Sequence, residues 1–363
     1  MRRDQGNSRN MASPSFLLLK INQLGDAVWF LPTVAAIRRE FPDSRIDIVC
    51  NRSTAVIFEK SVKGVRAIAV SYKHVRGLRG LLSLPRMVMK LGLGRYDYAL
   101  LSHDEPKFSH LLALAVLARR RIGFDIVNRG MARLLSEVLP YRSGRDPTDL
   151  NFDLARRVAR RVDLPLIRVP LGYDPHDVEI VERRLQAIGV DAPRPFVVLQ
   201  PFASLPYKEW GLENFLSLAH RLTDELDLAV VIESEKDLPA LEWPLRISGL
   251  SIPQLAVLIE RAALFIGNNS GPMNVAGAMG TPTLIIEGPW AGNAGVPWTD
   301  APHRGIHART LACIPCERLE RVHLHCTNRD YPHGCMKELS VDTIFSHAKE
   351  MLAALDVAGG RRV

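Results

Sequence analysis

Aromatic residues are scarce, at 7% of the 363 positions, which argues against an all-β sandwich. Long apolar runs are missing as well. The longest, Leu111–Ala118, falls far short of the roughly 20 residues a membrane-spanning helix needs. Met1–Ser15 carries charge but no apolar centre, so it is not a secretory signal and reads as a disordered leader, with Met11 an alternative start. With no export signal the expected location is the cytoplasm. Neither GxGxxG nor GxxxxGK[ST] occurs anywhere. Acidic residues are absent between Lys60 and Arg95, although the chain as a whole carries 39 of them against 47 Lys and Arg, a net charge of +8.

What is present is ordinary globular material, 47% hydrophobic and 24% charged, on a chain long enough for two domains. The acid-free stretch holds Lys60, Lys63, Arg66, Lys73, Arg76, Arg79, Arg86, Lys90 and Arg95, interleaved with Leu78, Leu81, Leu82, Leu84, Met87, Val88, Met89 and Leu91. Such a stretch suits an anionic membrane surface or a phosphorylated acceptor, and it equally suits a solvated helix face. Nucleic acid is disfavoured, because no aromatics interleave the cations and no recognition motif occurs.

Short apolar runs alternate with helical patterns. Phe16–Ile21, Arg45–Cys50, Ala67–Val70, Tyr98–Leu101 and Arg121–Phe124 read as buried parallel strands. The segment Leu164–Pro195 contains five prolines and one helix, about His176–Ile188, and marks a boundary. Alternation restarts with strands at Phe196–Gln200, Leu228–Glu233, Leu264–Gly267 and Thr283–Ile286, and helices at Leu212–Asp224, Ile252–Arg261 and Pro272–Met279. A last helix runs from about Val341 to Leu355. The expectation is α/β: two facing Rossmann-like, doubly wound parallel-sheet domains over residues 16–170 and 171–340, then a C-terminal helix and tail over 341–363.

Ligands of open α/β sheets bind beyond the carboxyl ends of the strands. Three loops therefore matter. Leu24-Gly25-Asp26 puts a tight turn before a helix, where Asp26 is either a proton acceptor or, more commonly for such spacing, a helix cap. Pro201–Trp210 offers Lys208 to neutralise a diphosphate and Ser204 to hydrogen-bond it, although a lone loop lysine is more often ordinary surface. Phe265–Pro282 surrounds one short helix with Gly267, Gly271, Gly277 and Gly280. Asn269 or Ser270 fits its cap and Pro272 its first turn, which suits a pyrophosphate.

Four of five cysteines, Cys313, Cys316, Cys326 and Cys335, cluster near His323, His325 and His333 in the 311–336 loop. Cys313-Ile-Pro-Cys316 has zinc-knuckle or redox spacing, while Cys326 and Cys335 are too widely spaced for a standard ribbon. Cys50 ends a strand and is expected to be buried.

Leu19–Arg38, Ala118–Asp125, Ile247–Pro289 and the Cys313–Met336 loop together resemble glycosyltransferase family 9, the heptosyltransferases of lipopolysaccharide core synthesis. The resemblance spans nearly all of the chain from residue 16. It implies a GT-B fold, an inverting transfer from a nucleotide-sugar donor such as ADP-heptose, and no metal or other cofactor for the chemistry. It implies an acceptor that is a lipid-linked saccharide at the inner face of the cytoplasmic membrane. It makes Asp26 the catalytic base. Ser204, Lys208, Glu233, Asn269, Ser270, Gly271, Pro272 and Met273 become donor-binding. Two positions depart from the family pattern: Asn269 stands for the usual Asp and Asn274 for the usual His. A donor-site acid after the second strand corresponds to Glu233 or Glu235. The alternatives are a related transferase with another donor or acceptor, and a non-catalytic nucleotide- or glycan-binding descendant.

Overall fold

The computed structural model describes residues 13–75, 77–128, 130–159, 161, 163–190, 194–235, 243–290, 300–308, 310–319, 323 and 325–357. Residues 1–12, which hold most of the expected leader, and Arg76 of the basic stretch lie outside them.

The first half contains strands β1 (Phe16–Lys20), β2 (Ile46–Asn51), β3 (Val65–Val70), β4 (Tyr98–Leu101), β5 (Arg120–Phe124) and β6 (Glu137–Leu139). Between and after them run α1 (Leu24–Glu40), α2 (Ala55–Ser61), α3 (Gly77–Leu91), α4 (Lys107–Ala115) and α5 (Pro147–Val158). The second half starts with α6 (Pro175–Ala187) and β7 (Phe196–Gln200), followed by α7 (Leu212–Leu226), β8 (Ala229–Ser234), β9 (Arg246–Ser248) and α8 (Ile252–Arg261). It continues through β10 (Leu264–Asn268), α9 (Gly271–Met279), β11 (Thr283–Ile286), β12 (His303–Ile306), α10 (Gly334–Lys337) and α11 (Val341–Val357).

The strand orders are β3-β2-β1-β4-β5-β6 and β12-β11-β10-β7-β8-β9. Renumbered within its own half, the second is the first read backwards, so both sheets have the dinucleotide-binding order 3-2-1-4-5-6. The pairings are parallel throughout; Leu18, for instance, lies opposite Ile48 on β2 and Leu100 on β4. Central strands such as β1 and β7 are buried at every position, because helices cover both faces, and this is why they read as unbroken apolar runs.

One core joins the halves. It takes Ala27, Leu31 and Val34 from α1 together with Ala256 from α8 and Met273 and Ala276 from α9. The outer face of the first sheet is covered by α3 and α4. The outer face of the second is covered by α7 and α11, where Ile344, Phe345 and Ala348 pack on Leu218 and Leu222. The C-terminal helix is thus part of the second core. The chain crosses between α5, which packs on α1, and α6, which packs on α8. In that crossing Arg168 donates to Asp300 at 2.6 Å and to the carbonyl of Ala278 at 3.2 Å.

The doubly wound class is as expected, and three strands are additions to it. β6, β9 and β12 are the short outer strands, half-exposed and without apolar runs, so periodicity does not mark them. The four-residue α10 is likewise too short to show a period.

Candidate functional site

In each sheet the strand order reverses at one place, between β1 and β4 and between β7 and β10. Ligands bind at such switch points. The loops after β1, β7 and β10 are the three singled out from the sequence. The loop after β4, Ser102-His103-Asp104-Glu105, is a fourth that sequence reasoning missed, although the same rule selects it.

Asp26 sits in the first turn of α1, where its Oδ2 accepts the N–H of Gln23, the residue before the helix, at 3.2 Å. It is therefore a capping carboxylate and a half-buried acid at once. Gly25 is not in the left-handed region, so the turn itself does not require glycine. Close approach does: a Cβ there would lie 2.8 Å from Asn274 Nδ2 and 3.5 Å from Gly271 Cα. The starts of α1 and α9 thus touch across the two halves. Asn274 secures the contact, accepting from the Trp29 indole at 2.7 Å and donating to the Ser270 carbonyl at 3.2 Å.

Beneath Asp26 lies a buried charge cluster. Lys20, fully buried at the end of β1, is ion-paired with Asp104. Asp104 also accepts from Ser102 Oγ at 2.7 Å and from the Asn22 amide. Glu105 accepts the Ile21 N–H at 3.0 Å and bonds Ser109. Burial pushes Asp26 up to about 6; the charge of Asp104 adds to this and Lys20 opposes it. Burial also pushes Glu105 up to about 7, against Lys20 and with Asp104. Burial would raise Asp104 as well, but Lys20 and its hydrogen bonds hold it well below the usual carboxylate range. Burial keeps His103, which is bonded to Asn151, below its ordinary value and hence neutral near pH 7. A carboxylate that titrates just below neutrality is matched to accepting a proton at neutral pH.

The second switch point is clipped together by Asn268, also missed. Its buried amide accepts the Trp210 N–H at 3.0 Å and donates to the Pro201 carbonyl at 2.7 Å, tying the loops after β7 and β10. Ser270 takes the N-cap position of α9 but makes no capping bond, and its buried Oγ has no partner. The expected cap is thus only positional, and the first turn of α9 is left without a side-chain acceptor from it. Pro272 lies in that turn. Asn269, half-buried, donates its N–H to the Ile286 carbonyl at 3.2 Å. Met273 turns inward and is fully buried in the joining core, so only its backbone can face a ligand.

Ser204 is exposed on the loop after β7. Lys208 does not stand free: it pairs with fully buried Glu317 at 2.7 Å, between the rings of Tyr207 and Trp290. Tyr207 bonds Glu317 and donates to the His323 carbonyl at 2.6 Å. Glu233 is buried at the end of β8, where burial, with Glu235 nearby, pushes it up to about 7. Trp290 also walls a cavity of about 220 Å³ with Tyr141, Ser143, Gly144, Arg145, Arg318 and Leu319, residues of both halves. It is below the roughly 300–1,000 Å³ typical of whole ligand sites.

Cys50 is buried as expected, its thiol pushed up to about 12 chiefly by burial. Cys313, Cys316, Cys326 and Cys335 are free thiols, with Cys326 Sγ accepting the His333 N–H at 3.3 Å. Among the described residues no group of three or more His, Cys, Asp or Glu has an arrangement able to hold a metal.

Two Rossmann-type halves meet at their switch points, one bearing a near-neutral carboxylate and the other an uncapped helix start, the place where doubly wound folds bind their ligands. The chain belongs to glycosyltransferase family 9 (heptosyltransferase), whose model matches residues 85–318, a span that includes Lys208 and α9 but begins after Asp26. It is a glycosyltransferase of that family. It is 31% identical over 342 residues to lipooligosaccharide heptosyltransferase 2 of Campylobacter jejuni serotype O:6, covering 90% of this chain and 96% of that one. It is 23% identical over 292 residues to lipopolysaccharide heptosyltransferase 3 of Escherichia coli, covering 74% and 84%. The solved structure of E. coli ADP-heptose lps heptosyltransferase II matches with a TM-score of 0.71 at 18% identity, over 94% of this chain and 99% of that one.

Proposed function

We propose that the protein is an inverting heptosyltransferase that moves heptose from ADP-heptose to a hydroxyl of a lipopolysaccharide core acceptor. Asp26 takes the proton of the acceptor hydroxyl. The oxygen forms its bond to the anomeric carbon from the face opposite the nucleotide, the bond from that carbon to the phosphate oxygen breaks, and ADP leaves with the electron pair. The N–H groups at the start of α9, with the Ser270 hydroxyl, stabilise the charge that grows on the diphosphate. Lys208 supplies the nearby positive charge once the diphosphate competes with Glu317 for it, and Ser204, Glu233 and Asn269 bind other parts of the donor. No metal is needed for these steps. The acceptor is a lipid-linked, phosphorylated saccharide at the inner face of the cytoplasmic membrane, with part of it in the cavity beside Arg145 and Arg318.

The observation that carries this reading is the placement of Asp26 at the contact between α1 and the uncapped start of α9, where burial pushes it up to about 6. Asp26→Asn keeps an oxygen for the Gln23 N–H but cannot take a proton. Its expected result is loss of turnover by about 100-fold or more with donor affinity within about twofold. Unchanged turnover removes Asp26 from the chemistry.

A second reading is a related transferase with a different sugar or nucleotide. It is favoured by Asn274, whose amide is committed to Trp29 and Ser270 and so is not free for the donor. A panel of ADP-, GDP- and UDP-sugars read by mass spectrometry separates the two. Binding without turnover for every donor would instead indicate a non-catalytic descendant.

A further inference from the structure

The long acid-free stretch is not uniformly available. Lys60 is spent on Asp174 and Asp177, and Arg66 on Asp47. What remains is concentrated on α3. This helix belongs to the outer layer of the first half and buries little of itself; within it only Gly80 and Leu91 are fully buried. At 3.6 residues per turn it carries three stripes. Leu84, Met87, Val88 and Leu91 face the sheet and α4. Leu81, Pro85, Leu78, Met89 and Leu82 form an outward stripe in which Leu78 is 71%, Leu82 74% and Met89 79% exposed. Arg86, Arg79 and Lys90 form the third, alongside it. Among the described residues none of these three cations forms an ion pair.

The apolar surface does not end with the helix. Leu93 follows it, and the Gly94 N–H donates to the Val116 carbonyl at 2.8 Å, tying the turn after α3 to the turn after α4 that carries Leu117. Leu93, Leu114 and Leu117 are all exposed. Seven of the twelve exposed large apolar side chains among the described residues therefore lie on α3, α4 and the turns that follow them. Scattered exposed leucines need no explanation, but a patch flanked by cations of one sign does.

We propose that α3 lies in the surface of an anionic bilayer, with Leu78, Leu81, Leu82, Met89 and Leu93 at the acyl boundary and Arg79, Arg86 and Lys90 against phosphate headgroups. An apolar stripe beside a basic one on a single helix is the arrangement that uses both forces at a lipid interface. A helix that follows a strand of a parallel sheet starts at the strands' carboxyl edge. The start of α3 is therefore on the same edge of its sheet as Asp26, and docking there sets the cleft beside the lipid.

The test is sedimentation of the full chain with phosphatidylcholine vesicles, with and without phosphatidylglycerol, at low and high salt. Binding is expected only with the anionic vesicles, and high salt should weaken it. Arg79→Gln, Arg86→Gln and Lys90→Gln together should lower partitioning about a hundredfold at low salt. Leu78→Ser, Leu82→Ser and Met89→Ser together should lower it at both salt concentrations. All six side chains are exposed, and an unchanged thermal midpoint would show that the variants fold. No sedimentation with either vesicle, or equal sedimentation with both, overturns the proposal. So does a concentration-dependent dimer abolished by the same serine substitutions without lipid binding, which would make a second copy the occupant. Lipid binding is read without sugar transfer, so its failure would leave the transferase reading intact.

Discussion

Asp104→Asn isolates the electrostatics that set Asp26. The wild-type carboxylate of Asp104 lies in the same buried cluster, ion-paired to Lys20, and its charge is one cause of the raised value of about 6. Asparagine keeps the shape and an acceptor for the Ser102 hydroxyl but carries no charge. Two effects then act in the same direction on Asp26. A like charge disappears, and Lys20, no longer neutralised by Asp104, pulls harder on the remaining carboxylates. Together they should lower Asp26 by about 1–2 units. A base active when ionised gives a kcat/KM profile that falls on the acid side of its own pKa in the free enzyme. The acid limb, near pH 6 in the wild type, should therefore move to about pH 4–5 in the variant. The assay is initial-rate transfer at subsaturating acceptor from about pH 3.5 to 8 for both proteins with one acceptor preparation, so that titration of the acceptor's phosphates is common to both. A buried Lys20 short of its main partner should also cost about 3 kcal/mol of stability, softened by Asp26 and Glu105 and measurable by urea unfolding. An acid limb that stays at 6, or moves upward, would refute the assignment of Asp104 as the charge that tunes Asp26.

Two other perturbations address neighbouring groups. Glu105 is raised from its ordinary 4.5 to about 7, so the folded chain holds its proton while the unfolded chain releases it between those values. Stability should fall as pH rises through that window, by about 3 kcal/mol for this group. Glu105→Gln should remove its share of the decline between about pH 5 and 8 in urea unfolding, leaving those of Glu233 and, at the acid end of the range, Asp26, which are also raised. Gly25→Ala would drive a methyl group to within 2.8 Å of Asn274 Nδ2, so α1 and α9 must separate or Asn274 must release Trp29. Misplacement of the two helix starts should reduce kcat about 10–100-fold, and wild-type turnover would show that their contact is dispensable.

The fold was legible where burial on both faces leaves unbroken apolar runs, as in Phe16–Lys20 and Phe196–Gln200. The outer strands at Glu137–Leu139, Arg246–Ser248 and His303–Ile306 were not, because half-exposed edges carry no such signature. At the site, the strand-end rule pointed to Asp26, Lys208 and the start of α9. It did not reveal what each of them touches. Lys20 looks like one residue of a strand until Asp104, 84 positions later, is brought against it. Glu317, the partner of Lys208, lies in a loop whose cysteines drew attention instead. Asn274 reads as a departure from a family pattern, and only the packed halves show its amide engaged by Trp29, 245 positions away. Local pattern reports which edge of a sheet a residue occupies; ion pairs between distant segments are set by tertiary packing.

The glycine-to-glycine approach of Gly25 and Gly271 also has a mechanical meaning. When two bodies turn about a shared contact, points near that contact travel least. Were the halves to turn about this contact, Asp26 and the start of α9 would travel least, whereas Arg145 and Trp290 stand on the walls of the cavity between the halves. Rocking would widen or narrow the cavity's mouth, admitting and discharging bulky partners, while the proton acceptor and the helix end that faces it keep almost constant separation. Loading and chemistry would then make separate demands on the same pair of domains, and a substitution on the cavity walls would alter which molecules enter without moving the atoms that react.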